Sequence, residues 1–243
     1  MMNNLTRSAG KILPLLLVST SLVLAGCSDN DHDASVPPTP TPAPDRVFSV
    51  TVTNLTANQP MSPIALLAVD KDYHPWQTGA SASSALEQLA ESGDSAGFQV
   101  EAGSISSITA GAGILAPGAS ETLTMTLADD SVASMSLLTM LVNTNDAFSG
   151  LNNVNLDGIN VGETQRIMTA VYDAGTEANS ELKGTIPGPA DGGEGFNAAR
   201  DDVNRVHLHP GVISHDDGLT DSVLNASHRF DNPALRITLT RSQ

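Results

Sequence analysis

VFSVTVT (residues 47–53) sets Phe48, Val50 and Val52 in strict alternation with Ser49, Thr51 and Thr53. Side chains of a β-strand point alternately to opposite faces, so this pattern predicts a strand with one buried face. ETLTMTL (121–127) repeats it, with Leu123, Met125 and Leu127 on one side and three threonines on the other. Two further segments are apolar almost throughout. IALLAV (64–69) predicts a short strand buried on both faces, and SLLTMLV (136–142) a dense, central one. RIMTAVY (166–172) and LRITL (235–239) complete the strand set. One helix is expected in SALEQLAES (84–92). Ser84 and Glu87 have the capping-box spacing, Leu86, Leu89 and Ala90 share a face, and Gly93 can end it. Turn signals such as APGAS (116–120) and GPADGGEG (188–195) separate these elements, and residues 176–203 are polar and glycine-rich enough to predict a long irregular loop. Several short strands, one helix and many turns predict an all-β fold, an antiparallel β-sandwich with one short helix and long loops, in a single domain over 47–243.

The N-terminus has a different texture. Arg7 and Lys11 precede an apolar run from Ile12 to Leu24, about the length of a signal-peptide core and shorter than the roughly 20 residues of a membrane-spanning helix. Leu24-Ala25-Gly26-Cys27 follows directly and resembles the lipobox of bacterial lipoproteins, with the chain's one cysteine at the acylation position. Residues 1–26 are therefore expected to be a signal peptide, and Cys27 the lipidated N-terminus. Ser28 after the cysteine resembles the outer-membrane sorting signal of a Gram-negative cell, periplasmic or surface-exposed. SDNDHDASVPPTPTPAPD (28–45) offers almost nothing to a core, and its Pro-Thr alternation favours extended polyproline conformation. Residues 27–46 are expected to form the lipidated N-terminus and a flexible stalk.

Composition excludes several function classes. Removing residues 1–26 takes away two basic side chains and no acid, leaving nine Lys and Arg against 27 Asp and Glu, a net charge of −18. Such a surface repels nucleic acid and anionic headgroups and favours cations. With Cys27 acylated there is no disulfide and no thiolate metal site. No Gly-x-Ser-x-Gly elbow and no glycine-rich phosphate loop between strand and helix is present, so nucleophilic and nucleotide chemistry lack a foundation.

The segments quoted above resemble the spondin domain family, known from F-spondin and mindin. VFSVTVTNLTANQPMSPI (47–64) is similar to the family's opening strand, and LAESGD with APGASETLTMTL to its middle. SLLTMLVNTNDAFSGLNNVNL (136–156) resembles its central strand and Asp-containing loop. VYDAGTEANSE (171–181) resembles its next loop, and PALRITLTR (233–241) its closing strand. The resemblance implies a β-sandwich binding one calcium ion through carboxylates of the two loops. Carried over by position, the ligands are Asp146, Asp173 and Glu177, the last longer by one methylene than the family's aspartate. It also implies a binding or adhesion role without catalysis, toward a protein or glycan that the sequence does not name.

The residues themselves suit calcium, which takes six to eight oxygen ligands on backbone that can bend around it. TND (144–146) and DAGTE (173–177) are acidic, free of cations, and hinged at Gly175. Acids in surface turns are, however, commonly just solvated. For Asp146 and Asp173 to reach one ion, the two strands before them must end at the same end of the sandwich. The competing chemistry is a zinc site. His207 and His209 alternate in VHLHPG, and His215 follows; together they could hold zinc for hydrolysis, or they could line an exposed strand face. A purely structural envelope lipoprotein is a third reading. Tyr73 and Trp76 in DYHPWQTG are expected on a loop, packed over the sandwich end or facing a ligand.

Overall fold

The structure, a computed structural model, describes residues 44–101, 103–128 and 134–243. The expected signal peptide, Cys27 and most of the stalk lie outside the described residues.

The elements run in order as β1 (Arg46–Asn54), β2 (Ala65–Val69), α1 (Ser84–Ser92), β3 (Ile105–Ala110), β4 (Ser120–Leu127) and β5 (Ser134–Met140). They continue as β6 (Ala147–Asn155), β7 (Thr164–Thr169), β8 (Val171–Asp173), β9 (His207–Leu208) and β10 (Leu235–Arg241). Two sheets form, a four-stranded one ordered β4-β1-β10-β7 and a six-stranded one ordered β3-β2-β5-β6-β8-β9. Every pairing between these strands is antiparallel. The expected all-β sandwich is the fold.

The four-stranded sheet follows from the alternating segments. Phe48, Val50, Val52, Leu123 and Met125 turn into the space between the sheets, where they are buried. Burial of this kind is worth roughly 2 kcal/mol per large side chain. The threonines face outward and pair across strands, Thr51 with Thr122 and Thr164 with Thr240, each at 2.8 Å between hydroxyls. β1 begins at Arg46, which is 4% exposed, so the domain starts one residue before the expected boundary and takes that residue from the stalk.

The six-stranded sheet is covered on both faces, which explains its apolar strands. In β2, Leu66 and Ala68 face the inter-sheet core, while Ala65, Leu67 and Val69 face a second core roofed by α1. Trp76 belongs to that second core. It is 6% exposed and meets Phe148 edge-on at 5.2 Å between centroids, with Tyr172 at 5.6 Å. The helix spans the expected residues, but its cap is Ser83, whose hydroxyl accepts from the Leu86 amide at 3.2 Å. Ser84 and Glu87 form no capping box, because Glu87 turns inward and is 5% exposed. Gly93 closes the helix in the left-handed conformation, φ 74°.

The single strand expected over 166–172 is two strands. β7 pairs with β10 in one sheet, and after Ala170 the chain crosses to the other, where β8 pairs with β6. Such sheet-switching forms a corner of the sandwich. The amide of Val171, freed at this corner, donates to Asn232 Oδ1 at 2.7 Å. Residues 176–203 are irregular as expected, apart from an isolated bridge between Leu182 and Ser222.

Candidate metal centre

Residues 141–146 join β5 to β6 and are buried although four of the six are polar. Local hydrogen bonds account for this. Thr144 Oγ1 donates to the Leu141 carbonyl (2.6 Å) and accepts from the Ala147 amide (3.1 Å), while Asn143 exchanges bonds with Gln59. Asp146 ends this loop, and β6 then runs back beside β5. Ala147 stands opposite Asp173 across β6 and β8, so both aspartates lie at one end of the sandwich.

Asp146 is fully buried. Its Oδ2 accepts from the amides of Thr176 (2.8 Å) and Glu177 (3.1 Å) and from the Thr176 hydroxyl (3.2 Å), so the first aspartate organises the loop that carries the other two acids. Its Oδ1 is buried without a donor. Asp173, also fully buried, accepts from the Gly175 amide through Oδ1 (2.8 Å) and from Asn179 Nδ2 through Oδ2 (2.6 Å). Gly175 is required there. Its φ is +70°, and a Cβ would fall 2.3 Å from the Arg205 carbonyl oxygen. Glu177 presents Oε2 to the interior, again without a donor.

Sequence reading missed three contributors. Glu91, from the last turn of α1, is 1% exposed; its Oε2 takes the Asn197 amide at 2.8 Å and its Oε1 no hydrogen bond. Asn145, 1% exposed, leaves Oδ1 without a donor, and Asp201 adds charge near Glu177. Helical periodicity marks Glu91 only as a polar residue near a C-terminus, with nothing to distinguish it from a solvated acid.

Excess negative charge is the common property of this region. Burial, reinforced by the Asp173 charge, pushes Asp146 up to about 7 despite its three donors. Burial and then the charges of Glu91, Asp146 and Asp201 push Glu177 up to about 8, against an interaction with Asn145 that works the other way. Glu91 is raised as well, chiefly by burial. Four hard oxygen acceptors (Glu91 Oε1, Asn145 Oδ1, Asp146 Oδ1 and Glu177 Oε2) are buried without donors. Their chemistry fits a calcium ion, which prefers carboxylate and amide oxygens.

The histidines do not assemble a three-imidazole centre. His209 is buried, held at about 4 chiefly by desolvation, with Nδ1 accepting from the Gly211 amide (2.9 Å) and Nε2 facing Asn179 Oδ1 (3.2 Å). His215 is exposed and pairs with its neighbour Asp216 at 3.1 Å. Among the described residues, the group whose ligand atoms all lie within 4.8 Å of one another is instead Asp173, Asp202 and His207; neither His207, His209 and His215 nor the expected trio Asp146, Asp173 and Glu177 forms such a group.

Comparison with known proteins adds one positive finding. No curated protein matches the chain. The family model described as Spondin_N matches residues 56–183, more than half of the chain and a span that includes Glu91, Asp146, Asp173 and Glu177. With its sandwich topology and that match together, the protein belongs to the Spondin_N family.

Proposed function

We propose that this protein is a calcium-stabilised binding module without catalytic activity, held at the bacterial envelope by a lipid on Cys27. The observation that carries the calcium reading is the set of buried, donor-free oxygens on Glu91, Asn145, Asp146 and Glu177. Asp146, Asp173 and Glu177 would hold the ion, with Glu91 and Asn145 as the further oxygen donors within the same acidic region. A bound calcium would supply the positive charge these oxygens lack and tie α1 to the loops at 141–146 and 173–177. Asp146 keeps those loops in register through the Thr176 and Glu177 amides. The affinity expected of an extracellular module is on the order of 10⁻⁴–10⁻³ M.

The binding role rests on the family, whose animal members act in matrix and cell adhesion. The partner is a protein or glycan, reached by a domain carried on the stalk that leads into β1, and the strong negative charge argues against nucleic acid. Thermal unfolding of the protein with calcium, with magnesium and with a chelator tests the calcium reading. A calcium-specific rise in Tm that Asp146→Asn removes is the expected result; no rise in the parent protein overturns it. A pull-down with the immobilised protein, with and without calcium, tests the binding role.

A further inference from the structure

Asp173 and His207 occupy directly opposed positions where β8 and β9 pair. Opposed residues in an antiparallel ladder project from the same face, so a carboxylate and an imidazole are set side by side by the backbone. The imidazole is oriented by a contact outside that pair. His207 Nδ1 lies 3.0 Å from the carbonyl oxygen of Leu208. A carbonyl can only accept, so Nδ1 carries the proton, and in the neutral ring Nε2 presents a lone pair. That lone pair faces Asp173 Oδ1 at 3.5 Å and Asp202 Oδ2 at 4.0 Å.

Three lone-pair atoms thus converge within 4.8 Å of one another. The arrangement of a histidine fixed by a backbone carbonyl through one ring nitrogen, with the other free, is the one metal-binding histidines adopt. Bonds of about 2.0–2.1 Å in a tetrahedral zinc site place neighbouring ligand atoms roughly 3.4 Å apart. The separations here exceed that modestly. Two of the three side chains can close the gap, since those of Asp202 and His207 are 22% and 31% exposed while that of Asp173 is fixed in the interior. Asp202 comes from a segment pinned on both sides, by the Asp201 amide on the Thr176 carbonyl (3.1 Å) and the Asn204 amide on the Gly175 carbonyl (2.7 Å).

We propose that Asp173, Asp202 and His207 bind a first-row divalent transition ion, with zinc the ion expected. Imidazole nitrogen suits zinc and its neighbours, whereas calcium and magnesium take oxygen. The site is distinct from the proposed calcium site and shares only Asp173 with it. Asp202 and His207 lie beyond the residues matched by the family, at 56–183, whereas Asp173 lies within them.

Binding of Co²⁺ to the full-length protein, followed by its visible absorption both in calcium-free buffer and in saturating calcium and then displaced by Zn²⁺, tests the proposal. One equivalent is expected to bind, with affinity lowered about tenfold or more by His207→Ala and by Asp202→Asn. Asp146→Asn and Glu177→Gln should leave cobalt and zinc binding unchanged while removing the response to calcium. The ¹⁵N resonance of His207 Nε2 should shift on zinc addition. No stoichiometric cobalt or zinc binding, or binding indifferent to His207→Ala, overturns the proposal. Loss of the calcium response in the parent protein with zinc binding intact overturns the calcium reading alone.

Discussion

Arg200 grips Glu87 through two nitrogens, Nε to Oε1 at 2.9 Å and Nη2 to Oε2 at 2.6 Å, across 113 residues of sequence. The same guanidinium also donates to the Ala82 carbonyl (2.9 Å) and to Asn204 Oδ1 (2.7 Å). It therefore fastens the segment that carries Asp201 and Asp202 onto the start of the helix that carries Glu91. The pair is nearly desolvated on the glutamate side, where 6% of the side chain is exposed. Removing Arg200 leaves that carboxylate buried and alone, so Arg200→Met is expected to cost about 3 kcal/mol. Adding Glu87→Leu should recover much of the loss. Urea unfolding of the two single variants and the double variant measures both.

Calcium and protons are expected to compete at the acidic centre. The raised values of Asp146 and Glu177 mean that the metal-free folded state keeps protons that the unfolded chain has lost above about pH 4–5. Metal-free stability should therefore fall as pH rises toward 7–8, because the folded state is the one that binds more protons there. Calcium must displace those protons, so its stabilising effect should be larger at pH 8.5 than at pH 5. At 100 times the dissociation constant it amounts to about 2.7 kcal/mol. Melting curves across that range, with calcium and with chelator, check the sign.

Gly175→Ala is expected to destabilise the fold by about 2 kcal/mol or more, since a Cβ meets backbone at Arg205 and the residue is held at positive φ. Its effect on metal affinity should exceed that of an equally destabilising change in the inter-sheet core, such as Val50→Ala. Paired stability and metal-binding measurements on the two variants make the comparison.

Mass spectrometry of the N-terminal peptide of protein purified from the producing cell should recover Cys27 carrying a diacylglycerol. Cleavage elsewhere, or an unmodified Cys27, would remove the envelope anchor from the proposed function.

The sandwich was legible where one strand face meets water, because Phe48-Val50-Val52 and Leu123-Met125-Leu127 alternate with outward threonines. It was least legible in β6, where Gly150, Asn152 and Asn153 read as turn residues. The two asparagines fall at a break in the β5–β6 register, with Asn153 at φ 54°, and their side chains hold a neighbouring loop, Asn152 Nδ2 on the Trp76 carbonyl (2.7 Å) and Asn153 Nδ2 on the Asp70 carbonyl (3.0 Å). No periodicity encodes such contacts. β3 and β9 escaped for a different reason. β3 is an edge strand with Ser106 and Ser107 exposed, and β9 is only two residues long. At the candidate calcium site, Asp146, Asp173 and Glu177 were named from local acidic loops and resemblance. Glu91 and Asp201 were not, since only the docking of α1 and of residues 200–205 brings them near Glu177.

The pairing of β1 with β10 sets the earliest strand of the domain beside the latest, from Phe48 against Arg241 to Asn54 against Leu235. Since β10 lies between β1 and β7, an interior position of that sheet is filled by the last of the domain's strands to be synthesised. Pairing of the domain's first strand with its last is non-local and belongs to the slow-folding class of topologies. A growing chain therefore holds β1 and β4 as a two-stranded fragment with one edge of β1 unpaired until residues 235–241 have emerged. Loss of residues 235–243 would remove the sheet's interior strand and strand β7 without a neighbour, whereas loss of an equal length at an edge would only narrow it.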